Sequence, residues 1–209
     1  FVPDGSALVA VDLEVHNSSP AVRRIDATLD VSVATFEDKR VFSRARSVEL
    51  QPGENRFKLV VTVDEARLWW TWDHGKPDLY RTLLTLKDAQ GAILDSREEK
   101  IGIKEVVHED STGQWLLNGK KMFLRGMRYY SSMFMSEITK ERVEKDLRDM
   151  LDMDINSIRI GSHVELDLFY SLCDEMGFLV WQNFPLHYCY SDSDDLIERA
   201  SEMMKDMVM

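Results

Sequence analysis

The chain has 209 residues, of which 44% are hydrophobic, enough for one large or two ordinary domains with real cores. A formal net charge of −11 and a pI near 4.9 exclude binding to a phosphate backbone, which needs clustered Lys and Arg, so no nucleic acid partner is expected. No apolar run approaches the roughly 20 residues that span a bilayer, so no membrane partner is expected either.

Phe1 opens the chain without a charged n-region or a cleavage-site pattern, and Met209 ends it inside a helical pattern. Both ends read as those of an excised segment, and the localisation stays unassigned. Ser6 to Val15 alternates apolar and polar residues through Leu8, Val11, Leu13 and Val15 and predicts a half-buried strand, closed by the turn cluster His16 to Pro20. Further strands are expected over Val22–Ala34, Arg40–Leu50, Asn55–Val63, Asp78–Asp88 and Ala92–Ile103. Pro, Gly and acidic turn residues separate them, as at Gln51-Pro52-Gly53-Glu54 and Gln90-Gly91. About seven short strands over roughly 100 residues fit an all-β immunoglobulin-like sandwich. No Cys lies in this half, so the antibody-type disulfide is absent. The run Leu68-Trp69-Trp70-Thr71-Trp72 can be read as a sugar platform or as large aromatic groups closing the sandwich core, and the second reading is preferred.

The polar stretch 104–113 reads as a linker, which divides the chain into a sandwich at 1–108 and a second domain at 109–209. Leu117-Asn118-Gly119-Lys120 supplies Asn-Gly turn chemistry, and Met122 to Met127 is expected as a strand buried on both faces. Thr139 can cap a helix whose apolar positions are Val143, Leu147, Met150 and Leu151. Ile155–Ile160 follows as a strand, Glu165–Met176 as a helix stopped by Gly177, and Phe178–Phe184 as a third strand. Ser191 to Asp195 can cap a third helix whose Met203, Met204, Met207 and Met209 form either a soft binding surface or core positions. Strand alternating with helix means parallel pairing, yet a complete (β/α)8 TIM barrel takes about 250 residues, so an α/β partial barrel of about three βα units is expected. The predicted fold is therefore multidomain.

Cys173 and Cys189 lack metal-ligand spacing, and the five histidines form no cluster, so no metal and no cofactor are expected.

Trp115 to Gly126, then Asn156-Ser157-Ile158-Arg159, then Phe169-Tyr170-Ser171-Leu172-Cys173-Asp174-Glu175-Met176-Gly177 running on to Trp181-Gln182-Asn183-Phe184, resembles the family 2 glycoside hydrolases. That family includes β-galactosidases, β-glucuronidases, β-mannosidases and exo-β-glucosaminidases. The resemblance covers the whole chain, weakly in the first half and strongly in the second, and it is to a piece of such an enzyme. It implies a hydrolase of carbohydrate metabolism with a carbohydrate substrate. It also departs from the family at several points: Gly102-Ile103-Lys104 stands where a triplet ending in Arg is common, and Arg128-Tyr129 where Asn is followed by Trp, Tyr or His.

Active sites of such barrels lie at the carboxyl ends of the strands, which here are Arg128–Tyr130, Arg159–His163 and Asn183–His187. Arg159 closes an apolar strand and calls for a carboxylate partner. By resemblance it matches the strand-2 Arg that steadies the nucleophilic carboxylate, with a structural ion pair as the other reading. His163 matches the galactosidase-like Arg-Thr-Ser-His one residue out of register, or is a solvated loop residue. Asn183 stands where mannosidase-like members have the Asp of Trp-Gln-Asp-Phe, keeping the acceptor oxygen without the charge. Trp181 reads as a barrel-core residue or a sugar platform, and Tyr129 as a candidate for substrate contact.

A retaining glycosidase needs two carboxyl groups about 5 to 5.5 Å apart. In the family the acid/base sits in an Asn-Glu dipeptide on strand 4 and the nucleophile on strand 7. No Asn-Glu dipeptide occurs in this chain, so no catalytic residue is assigned within it and both carboxylates are expected beyond Met209. The resulting expectation is a segment of a retaining exo-acting β-glycosidase, inactive alone and prone to self-association through its incomplete barrel. The alternative is a non-catalytic carbohydrate-binding or scaffold protein made of a sandwich and a small α/β domain.

Overall fold

The computed structural model describes residues 5–161, 163–186 and 193–208 and divides into two compact units, Phe1–Met122 and Phe123–Met209. Ser162, His187, Cys189, Ser191 and Met209, which also carry expectations from the sequence, lie outside the described residues.

In the first unit the period-two pattern of the sequence becomes two antiparallel sheets. Strands β1 (Ala7–Asn17) and β4 (Gly53–Val63) form one. Strands β2 (Arg23–Val33), β3 (Val41–Leu50), β5 (Tyr80–Asp88) and β6 (Ile93–Ile101) form the other, in the order β3-β2-β5-β6. Ile25, Ala27, Leu29 and Val31 of β2 point inward and meet Val9, Leu13, Leu59, Val61 and Val63 from the facing pair, giving a buried sandwich core. Each buried Leu, Ile or Val contributes about 1.5 to 3 kcal/mol. Edge strand β6 is exposed along nearly its whole length and carries Asp95, Arg97, Glu98, Glu99 and Lys100, charges that discourage pairing with another chain. The immunoglobulin-like sandwich is thus present.

Trp69 is fully buried, and the absent side chain of Gly102 makes room for it: a Cβ there would lie 2.8 Å from the indole Cγ. Lys104, at the family's usual Arg position, instead holds its ammonium 4.4 Å from the centre of the Trp69 ring. Trp69 therefore closes the core and is no sugar platform.

The stretch read as a linker is in part a strand. β7 (Val106–Glu109) pairs with β8 (Gln114–Leu117), which pairs with β9 (Lys120–Met122). Its four residues are too few and too polar for a period to show. The Asn-Gly turn joins β8 to β9 as expected, with φ of 50° at Asn118 and 76° at Gly119. Asn118 does more than turn the chain: its amide donates to the Trp69 carbonyl at 2.9 Å and its oxygen accepts from the Glu105 N–H at 2.8 Å.

The run Met122–Met127 is not one strand. Met122 ends β9, Phe123 is exposed, and β10 begins only at Gly126 (Gly126–Tyr129). An unbroken apolar run could not show where one strand stops and the next begins. In the second unit β10, β11 (Ser157–Ile160) and β12 (Leu179–Gln182) pair in parallel in that order. Helix α1 (Lys140–Asp152) lies between the first two in sequence, α2 (Asp167–Met176) between the second and third, and α3 (Asp194–Val208) follows. Thr139 caps α1 by accepting the Arg142 N–H, and Gly177, at φ 80°, ends α2. The α3 cap is Ser193, whose Oγ accepts the Leu196 N–H at 3.3 Å. Three parallel strands that do not close, with helices following them, are a partial barrel.

Candidate functional site

The parallel register sorts the strand residues between two faces. Tyr129, Ile158 and Ile160 are buried against Val143 and Leu147 of α1 and Phe169 of α2. Arg128, Arg159 and Trp181 are register partners on adjacent strands and stand abreast on the other face, all exposed. In a closed barrel that face would line the interior.

Asn156 sets the ladder from below. Fully buried, it accepts the Arg125 N–H at 2.9 Å and donates to the Phe123 carbonyl at 3.0 Å, while its own carbonyl takes the Leu179 N–H at 3.0 Å. One residue thereby aligns the starts of all three strands. Gly126 is required for closeness, since a Cβ there would meet the Ser157 hydroxyl at 2.8 Å.

Arg159 lies with its guanidinium 5.9 Å from the centre of the Trp181 ring. Because the group is exposed, water carries the desolvation cost for which the sequence called in a carboxylate. Trp181 is 53% exposed and shows its indole on the open face. Asn183 follows β12 and extends the ladder, its N–H donating to the Ile160 carbonyl at 2.9 Å.

His163 is tied into a network at the carboxyl ends of the strands. Its Nε2 lies 2.6 Å from Oε1 of Glu165, whose Oε2 accepts the Ser131 hydroxyl at 2.7 Å and whose Oε1 also takes the Ser131 N–H at 3.2 Å. The Glu165 side chain is only 2% exposed. The imidazole stacks on Tyr130 at 4.8 Å, and Tyr130 in turn carries the Arg128 guanidinium 4.9 Å from its ring centre, with Arg128 also donating to the Tyr130 hydroxyl. On the far side the Tyr170 hydroxyl accepts the Glu165 N–H and donates to Oε1 of Gln182 at 2.6 Å, while the Gln182 amide donates to the His163 carbonyl at 2.8 Å. Burial, ahead of the carboxylates around it, raises the Tyr170 phenol above its ordinary range and keeps it a donor.

Tyr129 is not brought to this face. It points between sheet and helices, stacks on Phe169 at 5.2 Å and donates its hydroxyl to Asp146 at 2.9 Å. Burial first, and then the Asp146 hydrogen bond, push its phenol well above the usual range. The structure thus brings together Arg159 with Trp181 on the open face and places His163 and Asn183 at the strand ends. Sequence reasoning placed Arg128 and Tyr130 at a strand end but gave neither of them a role, and it missed Ser131, Glu165, Tyr170 and Gln182 as the brace behind the exposed row. Glu165 sits just ahead of α2 and looked like an ordinary acidic helix start; a carboxylate two residues past a strand-end His was the available signal.

An exposed indole beside guanidinium groups suits a sugar, whose apolar ring face stacks while its hydroxyls accept hydrogen bonds. Glu165 cannot serve as an attacking carboxylate where it stands, because both its oxygens are already occupied.

Comparison with known proteins gives the same answer for both halves. The chain is 30% identical over 186 residues to a β-mannosidase of Rattus norvegicus, covering 82% of this chain and 21% of that one. It is 28% identical over 190 residues to an exo-β-D-glucosaminidase of Hypocrea jecorina, covering 84% and 21% respectively. Among solved structures, a β-D-mannosidase from Dictyoglomus thermophilum superposes with a TM-score of 0.83 at 25% identity, covering 94% of this chain and 25% of that one. The chain therefore spans about a fifth of the length of the curated relatives it matches. The model of the glycosyl hydrolases family 2 matches residues 1–104 and that of the family 2 TIM barrel domain residues 108–192, so the chain belongs to glycosyl hydrolase family 2.

Proposed function

We propose that this chain forms the sandwich, at 1–108, and the first three βα units, at 109–209, of a retaining exo-β-glycosidase that releases a terminal β-linked sugar. In this reading it holds one wall of the sugar site. Trp181 supplies the apolar face, Asn183 meets hydroxyls, Arg159 steadies the nucleophilic carboxylate, and His163, its Nε2 held by Glu165 and its Nδ1 buried, stands behind the wall rather than on it. The acid/base and nucleophile come from further barrel strands of a longer protein, as the one-fifth coverage of the relatives suggests. The observation that carries the reading is the row Arg128, Arg159 and Trp181 standing abreast on the open face of a parallel sheet. Without an acid and a nucleophile about 5 to 5.5 Å apart, that row binds sugar but cannot cleave it.

The test is a panel of aryl β-glycosides, namely mannoside, glucosaminide, glucuronide and galactoside, given to this chain and to the longer protein that contains it. The longer protein is expected to turn over at least one of them, with the β-anomer of the sugar as first product, and this chain none. Turnover by the chain alone, or an inverted product, would overturn the reading. Saturable sugar binding with no turnover by the longer protein would favour a non-catalytic carbohydrate-binding role.

A further inference from the structure

We propose that Glu165 is the positioning residue of this strand-end site: it fixes the His163 imidazole in one tautomer and orientation, and through it the Tyr130 ring on which Arg128 rests. Glu165 is a carboxylate with a 2% exposed side chain, on a chain where most acidic groups are solvated. A buried carboxylate persists only when donors replace its water. Here the donors are the Ser131 N–H, the Ser131 hydroxyl and the His163 Nε2–H. They come from the loop after β10 and the loop after β11, so the one carboxylate ties two strand ends together, and its own N–H joins it through Tyr170 to Gln182 on the third.

Oε1 accepts the Ser131 N–H, so the 2.6 Å contact with the same oxygen places a ring proton on Nε2. The other nitrogen, Nδ1, is buried and has no hydrogen-bond partner among the described residues, which makes the opposite tautomer doubly unfavourable: it would bury an N–H without such a partner and point a lone pair at a carboxylate. The fixed ring then offers its face to Tyr130 at 4.8 Å with 22° between the planes, and Tyr130 holds the Arg128 guanidinium beside Arg159. Glu165 touches no substrate in this arrangement. Its effect reaches the sugar through groups that contact it equally before and during bond cleavage, so its loss belongs in KM and not in kcat.

The kinetic arm of this inference rests on the glycosidase reading above; the spectroscopic arm does not. Glu165→Leu keeps about the volume but removes both acceptors, so the His163 Nε2–H loses its partner. Nitrogen-15 NMR of the imidazole in this chain is expected to show the Nε2–H tautomer in the unsubstituted protein and a shift toward Nδ1–H, or averaging of the two, in E165L. In the longer protein E165L is expected to raise KM about tenfold with kcat within about twofold. An Nδ1–H tautomer in the unsubstituted chain, or an E165L spectrum identical to it, overturns the proposal. So does a fall in kcat at constant KM. Should E165L fail to fold, the tautomer of the unsubstituted chain still decides. Should the longer protein cleave no glycoside while the tautomers behave as expected, the glycosidase reading falls and the role of Glu165 stands.

Discussion

Gly161 leaves empty the space that the guanidinium of Arg128 occupies: a Cβ at position 161 would lie 2.8 Å from Arg128 Cζ and 2.6 Å from its Nε. The glycine is there for room, and its neighbour is the far end of a flexible side chain that can swing away. Gly102 stands against Trp69 in the same way, at 2.8 to 2.9 Å, but that indole is fully buried and has nowhere to go.

The two glycines should therefore answer the same substitution differently. Gly102→Ala overpacks a closed core and is expected to cost about 1 to 3 kcal/mol, read as a lowered urea midpoint. Gly161 is buried as well, but the three nearest atoms a Cβ would meet belong to the exposed Arg128 side chain, so Gly161→Ala should cost less, within about 1 kcal/mol of stability. It should nevertheless move Arg128 off Tyr130, which would raise KM in the longer protein. Equal destabilisation by both would mean that Arg128 is packed as rigidly as Trp69.

Asn156 serves both sides of a strand start with one amide, and it is fully buried. Asn156→Ala leaves the Arg125 N–H and the Phe123 carbonyl without that partner and creates a small void. A loss of about 1 to 3 kcal/mol is expected, because both hydrogen bonds are partly buried and water can reach some of what is left unpaired. Asn156→Asp should be nearly as harmful, because a carboxylate cannot donate to the carbonyl. Equilibrium urea denaturation followed by tryptophan fluorescence measures both, and an Asp variant as stable as the parent would contradict the assigned amide orientation.

The architecture was legible in the sequence where hydrophobic period and length agreed. Ile25, Ala27, Leu29 and Val31 alternate over a full strand, and Val143, Leu147 and Met150 recur at helical spacing, so both elements could be read directly. β7 reads as linker because its four residues lie in a polar stretch and hold barely two periods, and the start of β10 is misplaced because the apolar run Met122–Met127 marks no boundary. The site was only half legible for a different reason. Arg159 and Trp181 stand out as a charge and an indole in apolar strands, but Tyr129 and Tyr130 are adjacent, and a one-residue uncertainty in where β10 begins exchanges the face each one takes. Glu165 was hidden because its partners come from 34 positions back along the chain and from a His two positions back, a relation that no local pattern encodes.

Cys173 faces the core of the second unit, where burial, with Asp174 and Glu165 adding to it, pushes its thiol far above the ordinary range. A raised folded pKa contributes stability that is complete below the unfolded value of about 8.5 and is lost as pH rises above it, since only the unfolded chain then releases the proton. Tyr129 acts in the same direction above about 10. The urea midpoint of the second unit should thus fall between pH 8 and pH 11, and fall less in Cys173→Ala. Peptide mapping after alkylation at pH 8 should find Cys173 unmodified in the folded chain and modified in urea. Rapid alkylation of the folded chain would place the thiol outside the core.

Arg159 offers the sharpest separation of fold from function. Its side chain is exposed, its described contact is the Trp181 ring at 5.9 Å, and it contributes nothing to the core that Ile158 and Ile160 build on the other face. Arg159→Ala should then leave the stability of this chain to urea within about 0.5 kcal/mol, as surface substitutions do. If Arg159 steadies the carboxylate nucleophile in the longer protein, the same substitution removes a charged donor where negative charge must be oriented and shared. A loss of about 100- to 1000-fold in kcat is expected, the scale seen when one preorganised donor is deleted. Arg159→Lys should recover only part of it, since an ammonium keeps the charge but not the planar pair of donors. Near-normal kcat in the Ala variant would remove Arg159 from the reaction, and a large fall in stability would make it a structural residue.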